Sequence, residues 1–174
     1  MILFKETQQF KRWWIWIGLT AINGIFVYAI IQQLFFHKPF GNTPVSDTNL
    51  LLLSFIPLSL LVFVFSIKLE TSISDDGICY RFYPFQFNTT WVEWEDLADA
   101  HLREFNALYE YGGWGIRVGN SKNNRAVTTS TSGNIGLQLE FKNGSRLLIG
   151  TTKPKEIKQV LNKLKEQGKI GWKV

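Results

Sequence analysis

The 174-residue chain contains one cysteine, Cys79, and two histidines, His37 and His101. A lone cysteine forms no internal disulfide, and no Cys/His spacing in the chain suits a zinc site. Cys79 lies in a strand-like stretch, where a free cysteine reads as a small core residue rather than a nucleophile. Charge is also missing, but only locally. From Trp13 to Phe36, 24 consecutive residues include no Asp, Glu, Lys, Arg or His, and the 18 from Leu50 to Ile67 include none either. Neither run can form an ordinary solvated surface.

A helix of 24 residues is about 36 Å long, enough to cross a bilayer core with some tilt. The second run reaches the lower limit of a span, which Thr48 and Asn49 extend. The first run is too long for a signal-peptide core, and FFHKPF after it offers no small-residue cleavage site. Two helices apolar on every face would need a large protein around them, and only about 100 residues remain. Hydropathy therefore predicts a transmembrane hairpin over residues 1–67, with spans at about 13–36 and 48–67. Neither span carries the ionisable residue that a transporter or proton relay needs at membrane depth. Asn23, beside Gly24, and the hydroxyls of Thr20, Ser54 and Ser59 are expected to join the helices to each other or to another copy. Pro57 interrupts the second span.

Basic residues set the orientation. Lys5, Lys11 and Arg12 precede the first span, Lys38 and titratable His37 lie between the spans, and Lys68 follows the second. The positive-inside rule predicts a cytoplasmic N-terminus, an external loop and a cytoplasmic domain over 68–174. Trp13, Trp14 and Trp16 fit an aromatic belt at the inner interface. A reducing cytoplasm also suits Cys79.

After residue 67 the apolar period changes to two. Asp76-Gly77 and Asn143-Gly144 are hairpin dipeptides between apolar runs. From Asn134 to Lys142 the alternation is unbroken, with Ile135, Leu137, Leu139 and Phe141 on one face, which predicts a half-buried antiparallel strand. Weaker strand signals cover 69–74, 77–84, 88–95, 97–104, 114–119, 124–129 and 145–151. One helix follows: Thr152 is the expected cap, Pro154 lies in its first turn and Gly168 past its end. Its stripe of Ile157, Val160, Leu161 and Leu164 must lie on the sheet. The order predicts a small antiparallel sandwich or open barrel with one C-terminal helix against it.

The run YGGWGIR…SGNIGLQLEFKNGSRLLIGTTKPKEIKQVL resembles the second half of bacterial pleckstrin-homology-like domains, membrane-tethered proteins of unassigned function. The matching stretches are Gly113 to Arg117, Gly133 to Phe141, Asn143-Gly144, Leu147 to Thr151 and Pro154 to Leu164. EWEDL at 93–97 is similar to that family's third-strand exit. The resemblance covers residues 68 to about 165 and implies a fold and a location in the bacterial cytoplasmic membrane. It implies no catalytic residues.

The glycines of EYGGWGIR, at 110–117, invite a phosphate-loop reading. That reading needs G-x-G-x-x-G running from a strand into a helix. Gly113, Gly115 and Gly119 give a longer spacing, and IRVGN continues as strand and turn; Lys122 is misplaced for a Walker motif. Glycines in a strand instead mark a bulge or a close approach. The expectation is that Gly113 and Gly115 clear space for a bulky neighbour, one of Trp91, Trp94 or Phe105, while Trp114 packs inward and Arg117 projects.

Catalytic groups do not assemble in the sequence. Glu93, Glu95, Asp96 and Asp99 read as a solvated acidic face; Asp99, His101 and Glu110 are the residues an enzyme would have to bring together. Residues 142–174 hold nine Lys or Arg against Glu156 and Glu166, a net of +7. Arg117, Lys155, Lys158, Lys163 and Lys165 are thus the candidate binding cations. On the helix they fit a solvated polar face, and beside a membrane they fit anionic headgroups. Nucleic acid is not expected, because no aromatics interleave with these lysines.

The sequence therefore predicts a non-enzymatic integral membrane protein without cofactor or metal. Its cytoplasmic domain would be a binding, scaffold or self-assembly module. The partners it allows are the lipid bilayer, a second copy, a protein partner and anionic lipid headgroups. An alternative is a small auxiliary subunit of a membrane transporter or membrane enzyme, working through the hairpin.

Overall fold

A computed structural model describes residues 1–10, 12–119, 123–129 and 133–171. The chain divides into two compact units, Arg12–Ser66 and a second made of Met1–Lys11 with Ile67–Val174. That division moves the boundary expected at 67/68. The first eleven residues belong with the β unit, because Ile2–Gln9 forms its first strand, β1.

The helical unit holds α1, Trp13–Ile30, continued by a π-helical turn at Ile31–Phe35, and α2, Asp47–Ser66. The continuous segment Trp13–Phe35 has 23 residues and α2 has 20; both are long and apolar enough to cross a membrane. Pro57 sits inside α2 without ending it. Asn23 joins the helices as its amide predicts: Nδ2 donates to Leu19 O at 2.8 Å and to Pro57 O at 3.2 Å. The serines do not. Ser54 and Ser59 donate to Leu51 O and Ile56 O of their own helix. A hydroxyl three residues from a carbonyl on its own helix finds that partner first. Gln33 closes the connection, donating to Val45 O and Asp47 Oδ1.

The β unit contains two sheets. Besides β1, the first has β2 (Lys68–Ser74), β3 (Gly77–Tyr83) and β4 (Thr90–Glu93), paired antiparallel in the order β1-β2-β3-β4. A 3₁₀ turn at Trp94–Asp96 leads to β5, Leu97–Glu104. A short helix α3, Ala107–Tyr111, precedes β6 (Gly115–Val118) and β7 (Asn124–Thr128). Then come β8 (Ile135–Phe141), β9 (Arg146–Gly150) and α4, Pro154–Glu166. The second sheet runs β5-β8-β9-β7-β6. Its pairs are antiparallel except β7 with β9, which are parallel, so a purely antiparallel arrangement does not hold.

The main core draws from both sheets and from α4. Leu69, Ile73 and Ile78 meet Leu97, Leu137, Leu139 and Ile149, and the α4 stripe adds Ile157, Leu161 and Leu164. Burying each such side chain stabilises the fold by roughly 1.5–3 kcal/mol. A smaller cluster of Phe105, Tyr111, Ala126 and Leu148 lies under α3. It covers the other side of the second sheet, so Gly136, Leu137, Gln138 and Leu139 are all buried. Strand β8 is therefore buried on both faces rather than half-buried.

The turns also differ in detail. Between β2 and β3 the two-residue connection is Asp75-Asp76, and Gly77 opens β3. Its lack of Cβ is needed because any Cβ would strike Val92 O of β4. Asn143-Gly144 lies in a four-residue loop, 142–145, where Gly144 alone has positive φ and Asn143 Oδ1 accepts from Ser145 N and Oγ. Thr152 does not cap α4, whose cap position is Lys153; Lys153 N donates to Thr151 Oγ1 at 3.0 Å. Cys79 is half-buried on β3 with Sγ 2.8 Å from Ser72 Oγ, and is not a core residue.

Candidate functional site

Helix α3 and the glycines after it shape one end of the β unit. Asn106 caps α3, its side chain accepting from Leu108 N and Tyr109 N, while Glu110 Oε1 accepts from Asn106 N at 2.8 Å. These reciprocal bonds satisfy the first amides of a helix too short to hold itself. Gly112, with φ of 68°, ends it in the left-handed conformation, and Gly113 N donates back to Ala107 O at 2.8 Å.

The three glycines of YGGWG thus serve backbone conformation. Gly112, Gly113 and Gly115 have φ of 68°, 134° and 104°, values that side-chain-bearing residues rarely adopt. A Cβ at Gly115 would meet nothing within 4 Å. At Gly115 the expected bulky neighbour is therefore absent, and at Gly113 the group nearest a Cβ would be the Arg117 guanidinium, at 3.5 Å, not an aromatic ring. Trp94 is buried with Nε1 donating to Ser74 O, Phe105 lies under α3, and Trp91 is 48% exposed. Trp114 is half-buried instead of packed inward. Arg117, exposed on β6, donates from Nε to Trp114 O at 3.0 Å.

A guanidinium locks this arrangement to the sheet. Arg103 donates to Gln138 Oε1 at 2.8 Å and to Tyr111 Oη at 3.0 Å, and pairs with Glu110 at 2.8 Å. Partial burial pushes the Glu110 carboxyl up, but the bonds from Arg103 and Asn106 N outweigh it and hold its pKa below the ordinary value of 4.5. Burial raises the Tyr111 hydroxyl against the pull of Arg103.

Beneath α3 and the glycine turn lies an apolar groove of about 420 Å³. That volume is within the range of small-molecule sites, roughly 300–1,000 Å³. Leu108 and Trp114 form one wall, and Phe82 and Phe85, stacked 5.5 Å apart, form another. Phe10 and Ile67, which flank the helical unit in sequence, also line it. Arg117, Thr128 and Thr129 supply its polar edge. Thr128 is fully buried, and its Oγ1 has no hydrogen-bond partner among the described residues.

The other candidates are placed elsewhere. Lys155, Lys158, Lys163 and Lys165 are exposed on α4 and do not line the groove. Asn143 lines a separate, polar cleft of about 410 Å³ with Trp91, Arg125 and Arg146. Asp99 Oδ2 lies 2.7 Å from His101 Nδ1 on β5, whereas Glu110 is engaged by Arg103, so the three do not converge. Among the described residues, no group of three or more His, Cys, Asp or Glu is placed to hold a metal ion. Of the residues singled out in the sequence, Gly113, Trp114, Gly115 and Arg117 meet at the groove. Phe10, Ile67, Phe85, Leu108, Thr128 and Thr129 were not legible as partners, being scattered over 120 positions of sequence. The signal for α3 itself was partial: Asn106 is a cap residue and Gly112 a stop, but Glu110 lies four residues after Asn106 and not the three of a capping box.

No family model matches the chain, nor does any curated protein or solved structure.

Proposed function

We propose that the chain is a two-pass protein of the bacterial cytoplasmic membrane whose β unit is a non-enzymatic, pleckstrin-homology-like binding module. The groove between α3, the glycine turn and the Phe82–Phe85 pair is its binding surface. The observation that carries this reading is the strand pairing of residues on either side of the hairpin. Gln9 is in register with Lys68 and Ile2 with Ser74, so Ile2–Gln9 and Lys68–Ser74 share one sheet. Two strands of one sheet lie on the same side of a membrane, which requires an even number of crossings between them. The two apolar helices supply that number. The basic residues Lys5, Lys11, Arg12 and Lys68 favour the cytoplasmic side for that sheet.

An apolar groove with a polar edge of one arginine and two threonines suits recognition. Among the described residues its lining places no nucleophile beside a base, and binding is the activity we propose for it. Native mass spectrometry of the full chain released from mild detergent tests this function. The wild type should carry an adduct, whether lipid, protein or a second copy, and Leu108→Asp should lose it without unfolding. An unliganded wild type, or an adduct equally retained by the variant, would contradict the proposal.

A further inference from the structure

The register of the first sheet brings a group of aromatic residues to the end where the chain leaves for the hairpin and returns from it. Gln9 pairs with Lys68, and Lys68 pairs with Tyr83. Phe10, Ile67 and the turn after Tyr83 are therefore neighbours at one sheet end, and Phe10, Ile67 and Phe85 all line the groove. Phe85 is 58% exposed, Phe87 74% and Leu108 60%. So many large apolar groups exposed at one end of a small domain mark a surface that something covers. Phe10 and Ile67 lie within two residues of Arg12 and Ser66, the limits of the helical unit. Trp13 and Trp14, the next aromatics along the chain, are 72% and 56% exposed. Aromatic rings of this kind settle at the boundary between headgroups and acyl chains.

We infer that the groove is occupied by a phospholipid of the same bilayer that holds the hairpin, with its acyl part against Leu108, Trp114 and Phe85 and its phosphate facing Arg117. The inference rests on the two-pass reading and specifies the ligand of the binding surface. The chemistry of the lining matches an amphiphile. Apolar walls receive hydrocarbon, and the exposed Arg117 guanidinium at the groove's edge suits a phosphodiester. The lysines of α4 line no part of the groove, so the recognition does not depend on the basic helix.

Site-directed spin labelling tests it on the full chain with Cys79→Ser, reconstituted in vesicles of phosphatidylethanolamine and phosphatidylglycerol. Single labels go at Phe85→Cys, Leu108→Cys, Ile25→Cys and Asn143→Cys, with circular dichroism to confirm folding. Leu108 stands in if loss of the Phe82–Phe85 stack impairs the first variant. Ile25 is an exposed α1 residue, and Asn143 follows β8 at the end opposite Ile135, whose carbonyl accepts from Thr151 N. The expected result is relaxation by oxygen and exclusion of a nickel chelate at positions 25, 85 and 108, with the chelate reaching 143. Positions 85 and 108 open to the chelate while 25 is shielded would overturn the lipid assignment alone. Exclusion of both agents at 85 and 108 would also overturn it, showing a protein surface over the groove. A chelate-accessible label at 25 would overturn the two-pass reading beneath it.

Discussion

Thr151 Oγ1 donates to Glu6 Oε2 at 2.7 Å, joining residues 145 positions apart. The same carboxylate accepts from Thr152 N at 2.8 Å and from the Thr152 hydroxyl. Two residues on, Gln8 Nε2 donates to Gly150 O at 2.7 Å and Thr129 Oγ1 donates to Gln8 Oε1 at 2.8 Å. Glu6 and Gln8 are 4% and 3% exposed. Buried polar groups persist only when their bonds are made, and here the N-terminal strand makes them with the end of β9 and the residues after β7.

Glu6→Ala should therefore destabilise the β unit by about 1–3 kcal/mol, the cost of stranding buried donors. Glu6→Gln should cost less, since one amide oxygen still accepts from the threonine pair. Urea unfolding of the full chain in detergent, followed by tryptophan fluorescence, measures both. Equal stability of Glu6→Ala and wild type would show that the polar contacts do not hold β1.

This network also explains what the sequence hid. A strand advertises itself by alternating apolar residues, and in β1 the inward positions after Phe4 are Glu6 and Gln8. Their burial is decided by threonines more than 120 residues away, which no local pattern reveals. The eight strands from β2 to β9 were legible, because Leu69, Ile73, Ile78, Leu137 and Leu139 follow period two. The α4 stripe was legible for the same reason at helical spacing. The groove was not. Its walls come from six separate segments, and only the glycine turn stood out in composition.

The glycines of EYGGWGIR carry a second prediction. Gly115 has φ of 104° and open space around its missing Cβ. Gly115→Ala and Gly115→Val should both cost about 1–3 kcal/mol, the strain of holding a side-chain-bearing residue there. Because nothing stands near, the two should differ little. A valine much worse than the alanine would restore the bulky neighbour. Gly77→Ala is the contrast, since its Cβ would collide with the Val92 carbonyl and force β3 and β4 apart. It should unfold well below both Gly115 variants in a thermal melt.

Acid should loosen the Arg103 lock in a defined window. The folded-state pKa of Glu110 lies below 4.5, so its contribution is complete above that value and lost as pH falls through the folded pKa. Glu110→Gln should be less stable than wild type at neutral pH, and the gap should close below about pH 4.5. A gap that stays constant down to pH 3 would mean that the Arg103–Glu110 pair adds nothing to stability.

In the proposed topology both halves of the β unit share the cytoplasmic side of a membrane crossed twice by the hairpin. Thiol accessibility in intact cells tests it most directly, using the full chain with Cys79→Ser and either Asn42→Cys or Asn143→Cys. A membrane-impermeant maleimide should label position 42 in intact cells, and position 143 only after lysis. Labelling of position 143 in intact cells, or of neither position until lysis, would contradict the account.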